Sequence, residues 1–204
     1  MLLRIYEDKP SPRHLKTVNE CLMDGGVIIY PTDTVYAFGC HVFKPKAIER
    51  ISQLKGIKKK EANFSFIFSD IAQISDYTKN FDKVVFKLMK RHFPGPFTFI
   101  LDANNSVPKI FNNKKKSIGV RIPDHAVARE IINYLAHPLI SSSIHDHDEI
   151  LAYNTDAEIL HEEFEDQVDI VIDGGYGDNQ VSTIVNCLNG EIEITRQGKG
   201  ILEF

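Results

Sequence analysis

Hydroxyl and carboxylate side chains are concentrated directly after an apolar run in the first fifth of the chain. The run, Val27–Tyr30, is entered through two glycines and ends at a proline, which cannot donate to a sheet ladder. Thr32, Asp33 and Thr34 follow at once, and Tyr36 lies two residues further on. Small polar ligands of α/β proteins bind at such strand ends. The pattern favours a ligand site here, with an ordinary turn as the alternative.

The elements that must position these residues alternate along the chain. Apolar residues at helical spacing predict six helices, and short apolar runs between them predict eight strands. The predicted helices are 13–23, 45–54, 70–77, 82–92, 126–135 and 155–164. The predicted strands are 27–30, 64–68, 97–101, 118–122, one beginning at 139, 168–172, 183–187 and 192–196. This alternation predicts the α/β class, and 204 residues suit one domain spanning 1–204.

Tight links between predicted strands indicate that the sheet is mixed. Glycine-containing links occur at Asp173–Gly175 and at Asn189-Gly190. Such short links are typical of antiparallel neighbours, because parallel strands need a longer crossover. We therefore predict an antiparallel pair at each of the two positions.

Composition excludes some classes of protein. The formal net charge of −4 does not suggest a general nucleic-acid binder, and no apolar run has the length of a membrane span. Basic residues nevertheless crowd 44–60 and 114–116, whereas acidic residues concentrate in 146–166. A surface polarised in this way could steer a phosphate-bearing ligand or RNA, unless the lysines are simply solvated loops. Three scattered cysteines predict free thiols in a reducing, cytoplasmic environment.

Six short motifs follow one another along nearly the whole chain: Pro31–Tyr36 with Gly39-Cys40, Pro94–Leu101, Gly119–Pro123, Pro138–Ser143, Ser182–Val185 and Arg196–Gly198. In this order they resemble the landmarks of the YrdC/YciO family, which contains the threonylcarbamoyl-AMP synthases. The chain is therefore identified as a member of that family. The resemblance implies a YrdC/RibB-like fold, a twisted mixed sheet with flanking helices around a deep, mostly positive cavity.

The resemblance also implies a reaction. The family's synthases join ATP, L-threonine and bicarbonate into threonylcarbamoyl-AMP. This product supplies the carbamoyl group for a modified adenosine beside the tRNA anticodon. A carbamate attacks the α-phosphate and pyrophosphate leaves, so the protein supplies mainly positioning and positive charge. The implied partners are ATP or AMP, L-threonine and bicarbonate. No permanently bound cofactor is expected, and Mg²⁺ would enter with the nucleotide.

Matching residue by residue, the resemblance implies two groups of site residues. The nucleotide-binding group is Thr32, Lys55, Ser141, Ser143 and Arg196. The threonine-binding group is Thr34, Tyr36, Arg121 and Ser182, and Thr183 adjoins it. A guanidinium can hold a carboxylate by two parallel hydrogen bonds, and hydroxyls can bond anionic oxygens. Taken singly, each hydroxyl could instead be a turn or cap residue, and each arginine a surface ion pair.

Two departures from the family pattern fall on nucleotide-binding positions. Ile57 replaces the arginine expected after Lys55, and His145 replaces an asparagine. An isoleucine cannot hold a phosphate, although Lys58–Lys60 could supply point charges. With the Gly174-Gly175-Tyr176 motif, these departures place the chain closest to the YciO branch.

Three functions therefore stay open at this point: a nucleotidyltransferase that makes threonylcarbamoyl-AMP, a tRNA- or double-stranded-RNA-binding module without synthase activity, and a hydrolase of the adenylate. No metal site is predicted: His145–Glu149 is interpreted as a solvated polar loop, since no third histidine or cysteine has a telling spacing. A metal held by this segment is the alternative, because histidines two residues apart share a strand face.

Overall fold

A single mixed sheet organises the described part of the chain. The computed structural model describes residues 1–57, 64–111, 116–144 and 155–204. Its strands are β1 (Leu2–Arg4), β2 (Val27–Tyr30), β3 (Ala37–His41), β4 (Ser65–Ile67), β5 (Phe97–Asp102), β6 (Ser117–Arg121), β7 (Leu139–Ser143), β8 (Ile170–Asp173), β9 (Thr183–Asn186) and β10 (Glu193–Arg196). They are ordered β1-β8-β2-β3-β7-β4-β6-β5-β9-β10 across the sheet.

Six α-helices flank the sheet within the same residues. They are α1 (Pro12–Met23), α2 (Pro45–Leu54), α3 (Ile71–Ser75), α4 (Lys83–His92), α5 (Ala126–Leu135) and α6 (Ala157–Phe164). α1 and α2 each carry a proline in the first turn, where no backbone donor is lost. α3, α4 and α6 each begin after an aspartate whose carboxylate accepts a hydrogen bond from a backbone N–H in the first turn. None of the helices in the described ranges is long and apolar enough to cross a membrane.

The α/β class and the mixed sheet are confirmed, and each predicted helix and strand is present with ends within two residues of the prediction. Two strands, β1 and β3, were not predicted. The link at Asn189-Gly190 does join an antiparallel pair, β9 and β10. The prediction at Asp173–Gly175 is wrong, because β8 pairs in parallel with β1 and β2, and β9 lies beside β5 and β10.

The two faces of the sheet are covered differently. One face carries the large core of Phe38, Phe66, Phe99 and Val120, against α2, α4 and α6. The other packs Ile28, Tyr30, Ile67 and Leu139 against α1 and α5. On this second face the direct partners Ser141, Ser65 and Gly119 continue as a row across β7, β4 and β6. We call these three residues the polar row; it lies outside the apolar cluster that α1 and α5 bury.

Gly39 in strand β3 leaves room for the side chain of Tyr30 to reach the polar row. A Cβ at Gly39 would lie 2.9 Å from the Tyr30 ring and 3.0 Å from the Leu139 side chain. The ring of Tyr30 therefore crosses over β3, and its hydroxyl donates to Oγ of Ser141 at 2.7 Å. Burial raises the pKa of Tyr30 to about 12, so the hydroxyl stays protonated as the donor.

Helix α5 ends at a residue in the left-handed backbone conformation, which substitution with glycine can test. Ala136 is exposed and left-handed, with φ +57°, and its N–H bonds the carbonyl of Ile132 at 3.0 Å. Glycine adopts this conformation without steric cost. We expect Ala136→Gly to raise the free energy of unfolding by about 0.5–1 kcal/mol in urea denaturation. Ala126→Gly, at the right-handed start of the same helix, should lower it; equal signs for both variants would contradict this assignment.

Candidate functional site

Arg121, the last residue of β6, is the centre of a buried cluster formed with the segment after β2. Its Nη2 donates to Oγ1 of Thr34 at 2.8 Å, more distantly to Oγ1 of Thr32 at 3.4 Å, and to the Asp33 carboxylate. The two threonine hydroxyls lie 3.0 Å apart, and Thr32 donates to the carbonyl of Val35 at 2.8 Å. The sequence-predicted residues Thr32, Thr34 and Arg121 are thus brought together.

The Arg121–Asp33 ion pair is shielded from water, with each side chain only 9% exposed. Nε of Arg121 and Oδ2 of Asp33 are buried and have no hydrogen-bond partner within the described residues. Buried polar atoms in native proteins almost always have a partner, supplied by protein, water or ligand. The cluster therefore holds one donor and one acceptor that are not used by the described chain.

Lys55 contacts Ser143 at the end of β7, the strand that contributes Ser141 to the polar row. Lys55 is the C-terminal cap of α2, and its Nζ donates to the backbone carbonyl of Ser143, the last residue of β7. Ser143 lies two residues after Ser141 and therefore shares its face. Ile57 is half-buried beyond the cap. Lys58–Lys60 and His145–Glu149, which carried further predictions, lie outside the described residues.

Ser182 and Arg196 form a third group at the β9–β10 side. The Arg196 guanidinium donates to the Ser182 carbonyl from Nε at 3.2 Å and Nη2 at 2.8 Å. Oγ of Ser182 lies 2.9 Å from Oγ1 of Thr98, whose methyl would be 3.1 Å from a Cβ at Gly119. This group thus adjoins the polar row. Thr183 differs, because it pairs with Phe97 on the apolar face and donates to Gly200.

Tyr36 fastens the loop that follows β8. Its hydroxyl donates to the carbonyl of Gly175 at 2.6 Å and accepts from the N–H of Gly174 at 3.2 Å. Burial raises the pKa of Tyr36, so the hydroxyl remains protonated. The structure therefore uses this hydroxyl to hold a loop, and its threonine-binding role stays a prediction.

A cavity of about 760 Å³ opens beside the Arg121 cluster and the loop held by Tyr36. Of the nine predicted site residues, Thr32 alone lines it. Its described wall carries four carboxylates and two basic side chains, and eight of the nine predicted site residues lie elsewhere. The mostly positive cavity that the resemblance implies therefore stays a prediction. The charged and titratable lining residues are Glu7, Asp33, Asp124, Asp178, Lys199 and His125. No cluster of three metal-ligating side chains occurs in the residues that the structure describes.

Three contacts of the site were missed from the sequence. The Asp33 carboxylate pairs with Arg121, Thr98 bridges to Ser182, and Tyr30 reaches Ser141. Asp33 lies between two predicted site threonines and Thr98 lies inside the Pro94–Leu101 motif, so position in the motifs was an available signal. The Tyr30 contact had none, because it depends on which glycine lies opposite the ring.

Comparisons with known proteins find relatives over most of the chain. A model of the Sua5/YciO/YrdC family, described as "Telomere recombination", matches residues 20–198. Uncharacterized protein YciO of Escherichia coli is 33% identical over 197 residues, covering 96% of this chain and 94% of that protein. A threonylcarbamoyl-AMP synthase of Coxiella burnetii is 32% identical over 176 residues, covering 85% and 92%.

Solved structures show the same fold. The crystal structure of E. coli YciO superposes with a TM-score of 0.91 and 32% identity, covering 98% of this chain and 97% of that one. The structure of P. abyssi Sua5 complexed with L-threonine superposes with a TM-score of 0.86 and 23% identity, covering 97% of this chain and 57% of that one. The second comparison supports the fold alone.

Removing one partner of the buried ion pair should be costly. We expect Arg121→Met to lower the free energy of unfolding by about 3–5 kcal/mol, because it leaves the Asp33 carboxylate buried without a counter-charge. Adding Asp33→Asn should recover part of that loss, and urea denaturation of both single variants and the double variant measures the coupling.

The surface pair Arg129–Asp124 is the matched control for this cycle. Its side chains are 40% and 65% exposed and 4.0 Å apart, so Arg129→Met should change stability by less than about 1 kcal/mol. Additive effects of the Arg121 and Asp33 substitutions would show that the two charges do not interact in solution.

Proposed function

Because this chain belongs to the Sua5/YciO/YrdC family, we propose that it binds L-threonine beside a nucleoside phosphate and forms threonylcarbamoyl-AMP. The observation that carries the proposal is the Arg121 cluster. A buried guanidinium is held there by two threonine hydroxyls, and its Nε has no partner within the described residues. The 32% identity to the Coxiella burnetii threonylcarbamoyl-AMP synthase supports the choice of ligand.

The Arg121 cluster suits the carboxylate of an amino acid. A carboxylate oxygen can accept a charge-assisted hydrogen bond from Nε of Arg121, the donor that has no partner within the described residues. The orientation of the guanidinium is already fixed by Thr34 and Asp33, so little conformational entropy is lost when the ligand binds. Arginine suits this role better than lysine because its planar donors match the two carboxylate oxygens.

The polar row and its two flanking cations suit the nucleotide. Hydroxyls of Ser141 and Ser65 accept or donate hydrogen bonds without adding negative charge, and Lys55 and Arg196 stand at the two sides. In the proposed reaction the threonine carbamate, formed from bicarbonate, attacks the α-phosphorus of ATP. The bond to the β-phosphate oxygen breaks and pyrophosphate leaves, while Mg²⁺ enters with ATP as part of the substrate.

Ile57 favours a second candidate function, the hydrolysis of threonylcarbamoyl-AMP. The half-buried Ile57 side chain offers no donor to a β- or γ-phosphate, which weakens the case for ATP more than for an adenylate. An adenylate carries only the α-phosphate, so it needs fewer cationic contacts. The basic segments suggested by the sequence keep RNA binding as a further outcome to be measured.

Pyrophosphate release from ATP, L-threonine and bicarbonate tests the proposal. We expect release by the wild-type protein and a fall of about 10- to 100-fold in kcat/KM for threonine in Arg121→Lys, which keeps the charge and loses the planar donors. Arg129→Lys, which changes an exposed arginine in the same manner, should leave the rate unchanged.

Release no greater than that of a Lys55→Ala variant would reject the synthase. In that case, decay of threonylcarbamoyl-AMP faster than in buffer would support the hydrolase. If neither activity occurs, retention of tRNA or double-stranded RNA that weakens steeply with salt would indicate the binding module.

A further inference from the structure

The cavity of about 760 Å³ beside the Arg121 cluster has its own walls. The segment Pro94–Pro96 forms one side, and the loop of Gly174–Asn179 forms another. The loop is held in place by backbone bonds from Asp178 N to Thr34 O at 3.0 Å and from Gly177 N to Thr155 O at 2.8 Å. The cavity is therefore a formed feature of the described chain, within the size range of small-molecule sites.

The charge of the cavity selects against anions. Lys199 is neutralised by its ion pair with Asp178 at 2.6 Å and also donates to the carbonyl of Asp33 at 2.8 Å. Glu7 and Asp124 have side chains that are 53% and 65% exposed at the wall. A phosphate or carboxylate placed here would meet like charges, whereas a cation would be attracted.

Two buried acceptor atoms belong to residues of this wall. Oδ2 of Asp33 and Nδ1 of His125 have no hydrogen-bond partner within the described residues, and both residues are about nine-tenths buried or more. Nε2 of His125 faces Glu7 at 3.8 Å, which favours the tautomer with the proton on Nε2 and leaves Nδ1 as an acceptor. Burial lowers the pKa of His125, so the ring is neutral at physiological pH.

We propose that this cavity binds a small organic primary amine as its ammonium ion, with Asp33 and His125 accepting its N–H donors. An ammonium carries a positive charge and three donors, which match an acidic wall containing two unused acceptors. The inference goes beyond the proposed function and does not depend on ATP or on adenylate formation.

A metal ion fits the same wall less well. Divalent cations need several oxygen or nitrogen ligands converging on one point, and no such group of three occurs among the described residues. An amine requires only that each donor finds one acceptor at hydrogen-bond distance. The spread of the acidic groups around the cavity therefore favours the organic cation.

Isothermal titration calorimetry of the full chain without nucleotide tests the inference, with 1-amino-2-propanol as the probe. We expect saturable binding in the millimolar range, as suits a ligand of so few atoms. Propane-1,2-diol lacks the charge, tetramethylammonium lacks the N–H donors, and Mg²⁺ is the competing inorganic cation. At matched ionic strength none of the three should bind at the cavity.

Variants locate the site. His125→Phe, which keeps a planar ring and removes Nδ1, should weaken binding of the amine at least tenfold, and Asp124→Asn about two- to fivefold. Glu130→Gln is the matched control, because it removes one exposed carboxylate from α5 outside the cavity and should change nothing. Thermal unfolding of each variant verifies that it folds.

Absence of amine binding, equal binding of tetramethylammonium, or equal weakening by Glu130→Gln would overturn the inference. None of these outcomes bears on pyrophosphate release, which is measured with ATP and threonine, so failure of one proposal is distinguishable from failure of the other.

Discussion

The buried ion pair between Arg121 and Asp33 constrains the whole site. Arg121 ends β6, whereas Asp33 lies in the segment between β2 and β3, and β7 and β4 lie between β3 and β6 in the sheet. The ion pair therefore joins two elements that are not neighbours in the sheet. Two opposite charges taken out of water tolerate little separation, so this pair fixes where the threonine hydroxyls lie.

The scaffold beneath the pair depends on small residues at defined places. Gly39 lets the Tyr30 ring pass over β3 to Ser141, and Gly119 leaves room for Thr98, which in turn bonds Ser182. Helices α1 and α5 cover the apolar part of this face, and the polar row begins where their cover ends. The same sheet face thus supplies both core packing and hydroxyl groups. Along β4 and β7 the residues on this face change from apolar, Ile67 and Leu139, to serine, Ser65 and Ser141.

Local pattern was sufficient for most of the elements and insufficient for the contacts between them. Helices such as α5 could be predicted from the sequence, because the apolar residues that they bury recur at helical spacing. Strand β3 was missed because Ala37–His41 contains no β-branched residue and Gly39 weakens its strand propensity. The motif resemblance led to Arg121, Thr32 and Thr34, but not to the ion pair. The acidic wall beside the Arg121 cluster was not predicted, because its carboxylates come from separate segments of the sequence and converge only in the fold.

Two neighbouring regions, one with an unused hydrogen-bond donor and one with unused acceptors, meet at Thr32 and Asp33. On one side, Arg121 offers an unused donor; on the other, Asp33 and His125 offer unused acceptors. The acidic wall disfavours phosphates in the cavity, which agrees with the proposal that a nucleotide binds at the hydroxyls of the polar row and the cations at its sides. The carboxylate of Asp33 takes part in both regions, since one oxygen balances Arg121 and the other belongs to the acidic side.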